Sequence, residues 1–146
     1  MLTNLLIGLL TMALCLFVQL ALLSIAIHYY SRHKSSVNSS PWSTLVVLNI
    51  VMALLVFGNL AQVTVWALLF RMLGEFQELA VAVYHSGVNF STLGYGDIVM
   101  SERWRLLGPL EAANGILMLG VSTAVITAAV SDIMKDYVAR QNRDGL

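Results

Sequence analysis

Between Ser91 and Asp97 the chain reads STLGYGD, which places hydroxyls, two glycines, a phenol and a carboxylate in one short run between apolar stretches. Such a set can hold a cation that has shed its water. A dehydrated cation needs closely spaced oxygens, and a backbone that turns successive carbonyls the same way takes alternating, partly left-handed dihedrals, which glycine permits. Gly94 and Gly96 supply that freedom, Thr92 adds a hydroxyl oxygen, Tyr95 can brace the strand laterally, and Asp97 places a carboxylate at the end. Two more ionisable groups stand in apolar surroundings, His85 before the run and Glu111 after it. A carboxyl inside an apolar span is costly and prompts a functional reading, and histidine titrates near pH 6.5.

The rest of the chain must position these residues. Its 146 residues are 58% hydrophobic and 11% charged, with mean hydropathy +0.79, a composition that belongs in a bilayer. Eight Lys+Arg balance eight Asp+Glu, so no basic surface for nucleic acid exists. The expected partners are lipid, ions and copies of the chain itself. Cys15 is the only cysteine, which excludes an intrachain disulfide and cysteine-based zinc patterns. No spacing of His, Asp, Glu, Ser or Cys makes a catalytic constellation, so no enzyme and no cofactor are expected.

Leu5 to Ile27 carries no charge, and its roughly 34 Å as a helix suffice to cross a hydrocarbon core. A cleaved signal peptide is the competing reading; MLTN lacks Lys and Arg, and the run is longer than an h-region. His28 to Pro41 reads as a loop, with Pro41 suited to the first turn of the next helix. Trp42 to Phe70 is a second uncharged span, and Leu106 to Ser131 a third, interrupted only by Glu111. Trp42, Trp66 and Trp104 fall near span ends, as interfacial belts require. Asn49, Asn59, Gln62 and Thr64 suit hydrogen bonds between helices, and Pro109 an early bend in the third.

Glu75 to Phe90 reads as a half-length helix, with Glu75 and Glu78 in its first turn where the macrodipole favours negative charge. About 20 Å long, it reaches only mid-membrane, so the chain must return to the side it entered. Irregular backbone at that depth is tolerated only when buried in protein or lining water.

TLGYGD resembles the TVGYGD signature of potassium-channel selectivity filters, and residues 42–134 resemble that family's pore domain. The resemblance implies an all-α membrane protein: three transmembrane helices, with a re-entrant pore helix and filter between the second and third, assembled as a homotetrameric pore. It divides the chain into an N-terminal transmembrane helix (1–30), a cytoplasmic loop (31–41), the pore domain (42–134) and a short cytoplasmic tail (135–146). It implies potassium ions held by Thr92, Leu93, Gly94 and Tyr95, with Gly96 completing the outer end and Asp97 at the mouth. Leu93 departs from the commoner valine. His85 takes the place of an aromatic that pairs with the carboxylate after the filter, with pH sensitivity as one consequence; a buried structural histidine is the alternative. Val88 stands where some relatives carry a carboxylate. Glu111 either replaces that support against Asn89 or Ser91, or is a protonated or Asn114-bonded group near the interface.

In the inner helix, Gly115 resembles the family's hinge glycine, with close packing as the other reading; Gly120, Ala124 and Ala128 form a small-residue row suited to packing. Ile116, Leu119, Thr123, Thr127 and Ser131 share one face. Either that face lines a cavity below the filter, or the hydroxyls bond their own helix. The function so implied is passive, potassium-selective conduction, gated by the filter, the inner-helix crossing, a separate regulatory subunit or nothing at all. A nonselective channel, a nonconducting pore homologue and a small structural membrane protein are the rivals. The resemblance places the protein in the cell membrane, a bacterial inner membrane, with the C-terminus cytoplasmic and the N-terminus outside. The basic residues agree, five on the inner side against three on the outer.

Overall fold

The computed structural model describes residues 1–37 and 40–144, apart from the side chains of Ser36, Arg143 and Asp144. It is all-helical: α1 (Leu2–Val37), α2 (Pro41–Met72), a short α3 (Leu79–Phe90) and α4 (Leu107–Asp144). Three of these are long and apolar enough to cross a membrane, over Leu2–Ser35, Pro41–Met72 and Leu107–Asn142. In hydrocarbon every backbone polar group must be satisfied within the protein, which a helix does by itself. The chain is a multi-pass membrane protein.

The boundaries differ from expectation in instructive places. α1 continues through His28 to Val37, so most of the expected loop is helical; neither a charge nor a serine stops a helix whose carbonyls still find donors. Likewise α4 runs on to Asp144, through the expected tail. Pro41 does open α2. Pro109 sits in the first turn of α4, where its missing N–H would have no helical partner, and so begins that helix instead of bending it.

The short helix begins at Leu79, not Glu75. Gly74, at φ +79°, reverses the chain after α2, and residues 73–78 form a turn. Glu75 therefore serves the loop on the other side of α3: its carboxylate accepts from the Ser101 backbone N–H (2.8 Å) and hydroxyl (2.5 Å).

Packing settles where α1 lies, which its composition left open. It runs beside α2 and α4 of its own chain. At one end Asn4 donates to the Arg103 carbonyl (2.6 Å); at the other Tyr30 donates to Asp132 (3.0 Å) and Lys34 pairs with Asp132 (2.7 Å) and Asp136 (3.6 Å). Between them Gln62 donates to Gln19 (2.8 Å), Asn114 to Gln62 (3.2 Å), Gln19 to Ser122 (3.3 Å) and Asn59 to Ser122 (3.4 Å). This ladder ties three spans together, since an amide buried in a bundle is costly without a partner. Asn49 and Thr64 instead bond the carbonyls of Leu45 and Leu60 in their own helix.

One apolar cluster packs Cys15, Trp66, Ala67, Phe70, Phe76, Ala82, Trp104 and Leu107 between α1, α2, α3 and the start of α4. Two of the three tryptophans expected in an interfacial belt are thus turned inward, Trp66 wholly buried and Trp104 nearly so, while Trp42 is exposed. Depth along the helix and direction around it are separate properties, and an interfacial belt constrains only depth.

Candidate functional site

α3 is twelve residues long and buries one face, Ala82, His85, Ser86, Val88 and Phe90, against α2 and α4. Its end is tightly held. Ser91 N–H reaches the Gly87 carbonyl (3.1 Å), Thr92 N–H that of Asn89 (2.9 Å) and Leu93 N–H that of Val88 (3.0 Å); the Ser91 hydroxyl also donates to Gly87 (2.7 Å).

Beyond this point the backbone alternates. Thr92, Gly94 and Gly96 have φ of +60°, +58° and +76°, while the intervening Leu93 and Tyr95 do not enter the left-handed region. Both glycines take the conformation expected of them. Thr92 does so too, at a cost of about 1–2 kcal/mol for a residue with a Cβ, and nothing in its residue type signalled that. Residues 91–97 are all exposed in the single chain, Leu93 at 58% and Tyr95 at 66%. Among the described residues, 94–97 make no backbone-to-backbone hydrogen bond.

Asp97 at the end of the run is held by Tyr84, not His85: the Tyr84 hydroxyl donates to Asp97 Oδ2 at 2.7 Å. This bond keeps the Asp97 carboxyl below the usual carboxylate range and raises the Tyr84 phenol. The expected His85 pairing is one residue off, because the rotation of α3 turns His85 inward. There His85 packs against the rings of Phe70 and Phe76, with Nδ1 on the Ile98 carbonyl (3.1 Å) and Nε2 on Asn89 Nδ2 (2.9 Å). A carbonyl only accepts, so Nδ1 carries the hydrogen and Nε2 takes one from Asn89. Burial moves the imidazole pKa down, against the opposing effects of Ile98, Asp97 and Glu75. His85 is buried, with both ring nitrogens in hydrogen bonds.

Glu111 is fully buried and does reach α3. It interacts with Asn89, one of its expected contacts, and its Oε1 is hydrogen-bonded to the Ser86 hydroxyl, a residue that sequence reasoning passed over. Ser86 also reaches the Val63 carbonyl of α2 (2.7 Å), so this hydroxyl stands where three helices meet. A small polar residue in an amphipathic helix, four positions before Phe90 on the same face, was the available signal. Asn114, the alternative partner for Glu111, directs its amide to Gln62 instead. Val88 is buried and apolar.

Gly115 packs directly under the end of α3. A Cβ there would overlap the Phe90 carbonyl oxygen and stand 2.8 Å from its carbon, so close packing accounts for this glycine. Gly120 has nothing within 4 Å of that position among the described residues, which leaves its expected packing role without a partner in the single chain. Thr123 donates to the Leu119 carbonyl (2.9 Å), the self-bonding reading, yet Thr123 and Thr127 lie on an exposed face with Ile116 and Leu119. The opposite face, with Asn114, Met118 and Ser122, is the buried one.

Compared with known proteins, residues 50–132, more than half of the chain, match the family described as "Ion channel". No curated protein and no solved structure matches the chain.

Proposed function

The chain belongs to this ion-channel family, and from that premise we propose that it conducts potassium selectively and passively, as a homotetramer in which four 91–97 segments surround one axis. The observation that carries the reading is the alternation of left-handed φ at Thr92, Gly94 and Gly96 in an exposed TLGYGD whose carbonyls lack backbone partners. Alternating dihedrals bring successive carbonyls toward one side, where they can replace the hydration shell of an ion. Potassium is then held by the Thr92 hydroxyl and by the carbonyls of Thr92, Leu93, Gly94 and Tyr95, with Gly96 at the outer end.

The tetramer explains what a single chain leaves uncovered. Irregular backbone at membrane depth has to be buried in protein or line water, and three further copies supply both. Leu93 and Tyr95 side chains then pack between subunits. α3 is the pore helix, its carboxyl end directed at the axis, where its dipole favours a cation. Asp97, held by Tyr84, forms the outer mouth; Glu111 and His85 support the filter from behind. α4 is the inner helix, with Thr123 and Thr127 on the cavity face, and α1 is an outer helix on the pore domain. The C-terminus is cytoplasmic and the N-terminus outside. Liposomes loaded with potassium and challenged with sodium outside test the reading, through a potassium efflux carried by a tetrameric preparation.

A further inference from the structure

The Ser86 hydroxyl has one hydrogen and touches two buried oxygens, the Val63 carbonyl at 2.7 Å and Glu111 Oε1. A backbone carbonyl only accepts, and so does an ionised carboxylate. With Glu111 ionised, one of the two must go without the hydrogen. With a proton on Glu111 the count closes: the carboxyl O–H donates to Ser86 Oγ, and the Ser86 O–H donates to Val63.

The surroundings agree. Glu111 Oε2 has no hydrogen-bond partner among the described residues, a condition far more costly for a charged carboxylate than for the carbonyl oxygen of an acid. Among the described residues no cation faces the group. α2 has no charged residue from Trp42 to Phe70. α1 presents the Cys15 thiol, α3 presents Ser86 and Asn89 with His85 behind Asn89, and α4 adds Asn114.

We propose that Glu111 is held as a carboxylic acid and acts as a positioning residue, its proton completing a relay from α4 through Ser86 of α3 to the Val63 carbonyl of α2, behind the 91–97 segment. The proton is what the site binds. Its loss forces Ser86 to turn toward the carboxylate and abandon Val63, which loosens α3 from α2 where the segment is anchored. The effect on conduction rests on the potassium-channel reading; the proton itself does not.

Infrared spectroscopy of the protein in liposomes tests the proton directly. The expected result is a protonated-carboxyl band at pH 7 that fades on alkalisation and is missing from Glu111→Gln. A wild-type spectrum with no such band at pH 7 overturns the proposal, whether or not the protein conducts. Potassium flux tests the positioning role: wild-type flux should fall roughly tenfold between pH 7 and about 10, the effect of losing one buried hydrogen bond. Glu111→Leu should lose flux at pH 7 as well, and Glu111→Gln, whose amide donates to Ser86 at any pH, should restore it with a flat profile. A Gln profile that declines as steeply as wild type overturns the relay.

Discussion

Tyr84 and Asp97, thirteen residues apart, are joined by a 2.7 Å hydrogen bond that runs from the middle of α3 to the far end of the 91–97 segment. The segment is thereby fastened at both ends, by the Asn89 and Val88 carbonyls where it leaves α3 and by Tyr84 where it returns. Because the phenol stabilises the charged carboxylate, Asp97 is held below the usual carboxylate range. Tyr84→Phe should therefore raise the pH at which Asp97 titrates, read by NMR of a carboxyl-labelled protein. An unchanged titration would mean that the bond does not form in the membrane.

The glycines of α4 differ in what surrounds them, and substitution should separate them. Gly115→Ala drives a methyl into the Phe90 carbonyl, which is backbone and cannot swing aside, so α3 or α4 must shift at a cost of about 1–3 kcal/mol. Thermal unfolding in detergent should show a clear fall in Tm. Gly120→Ala meets nothing among the described residues of its own chain, so any comparable loss of Tm there reports a contact with another copy.

His85 should make stability, more than conduction, depend on pH. Its folded-state pKa is lowered by burial, so the unfolded chain binds the proton more readily. The contribution is present above the unfolded value of about 6.5 and is lost as pH falls through the folded value. Unfolding midpoints followed down from neutral pH should decline in the wild type and flatten in His85→Gln. A wild-type midpoint that rises on acidification would reverse the sign and point to an ionised His85.

The amide ladder makes α1 an integral part of the bundle. Gln62→Leu removes the link between Gln19 and Asn114 and should destabilise by about 0.6–2 kcal/mol, the range for hydrogen bonds between membrane helices. Protease accessibility of α1 in detergent checks this. An α1 as protected in the variant as in the wild type would assign its docking to the apolar contacts and the remaining bonds of Asn4, Gln19, Tyr30 and Lys34.

The three spans were legible because hydrocarbon imposes length and composition directly, and Gly94 and Gly96 were legible because few other residues enter the left-handed region. The Asp97 partner was not. Tyr84 and His85 are adjacent, and which of them faces the segment depends on the rotation of α3, which is fixed by Ala82, Ser86 and Phe90 packing on α2 and α4. Ser86 carried a weaker signal, its place on the buried face four positions before Phe90, and its partner, the carboxyl that arrives from α4, is set by packing. The position of α1 was open because its lipid-facing and protein-facing leucines are alike; Gln19 marked its inner face, and only its partners show which helices it meets.

The most direct test is the reversal potential of purified protein in a planar bilayer, with potassium on one side and sodium on the other. A filter in which the carbonyls of Thr92 to Tyr95 replace the hydration shell of potassium requires a reversal close to the potassium equilibrium potential. A reversal near the midpoint between the sodium and potassium potentials would contradict it, and would leave TLGYGD as the lining of a nonselective pore.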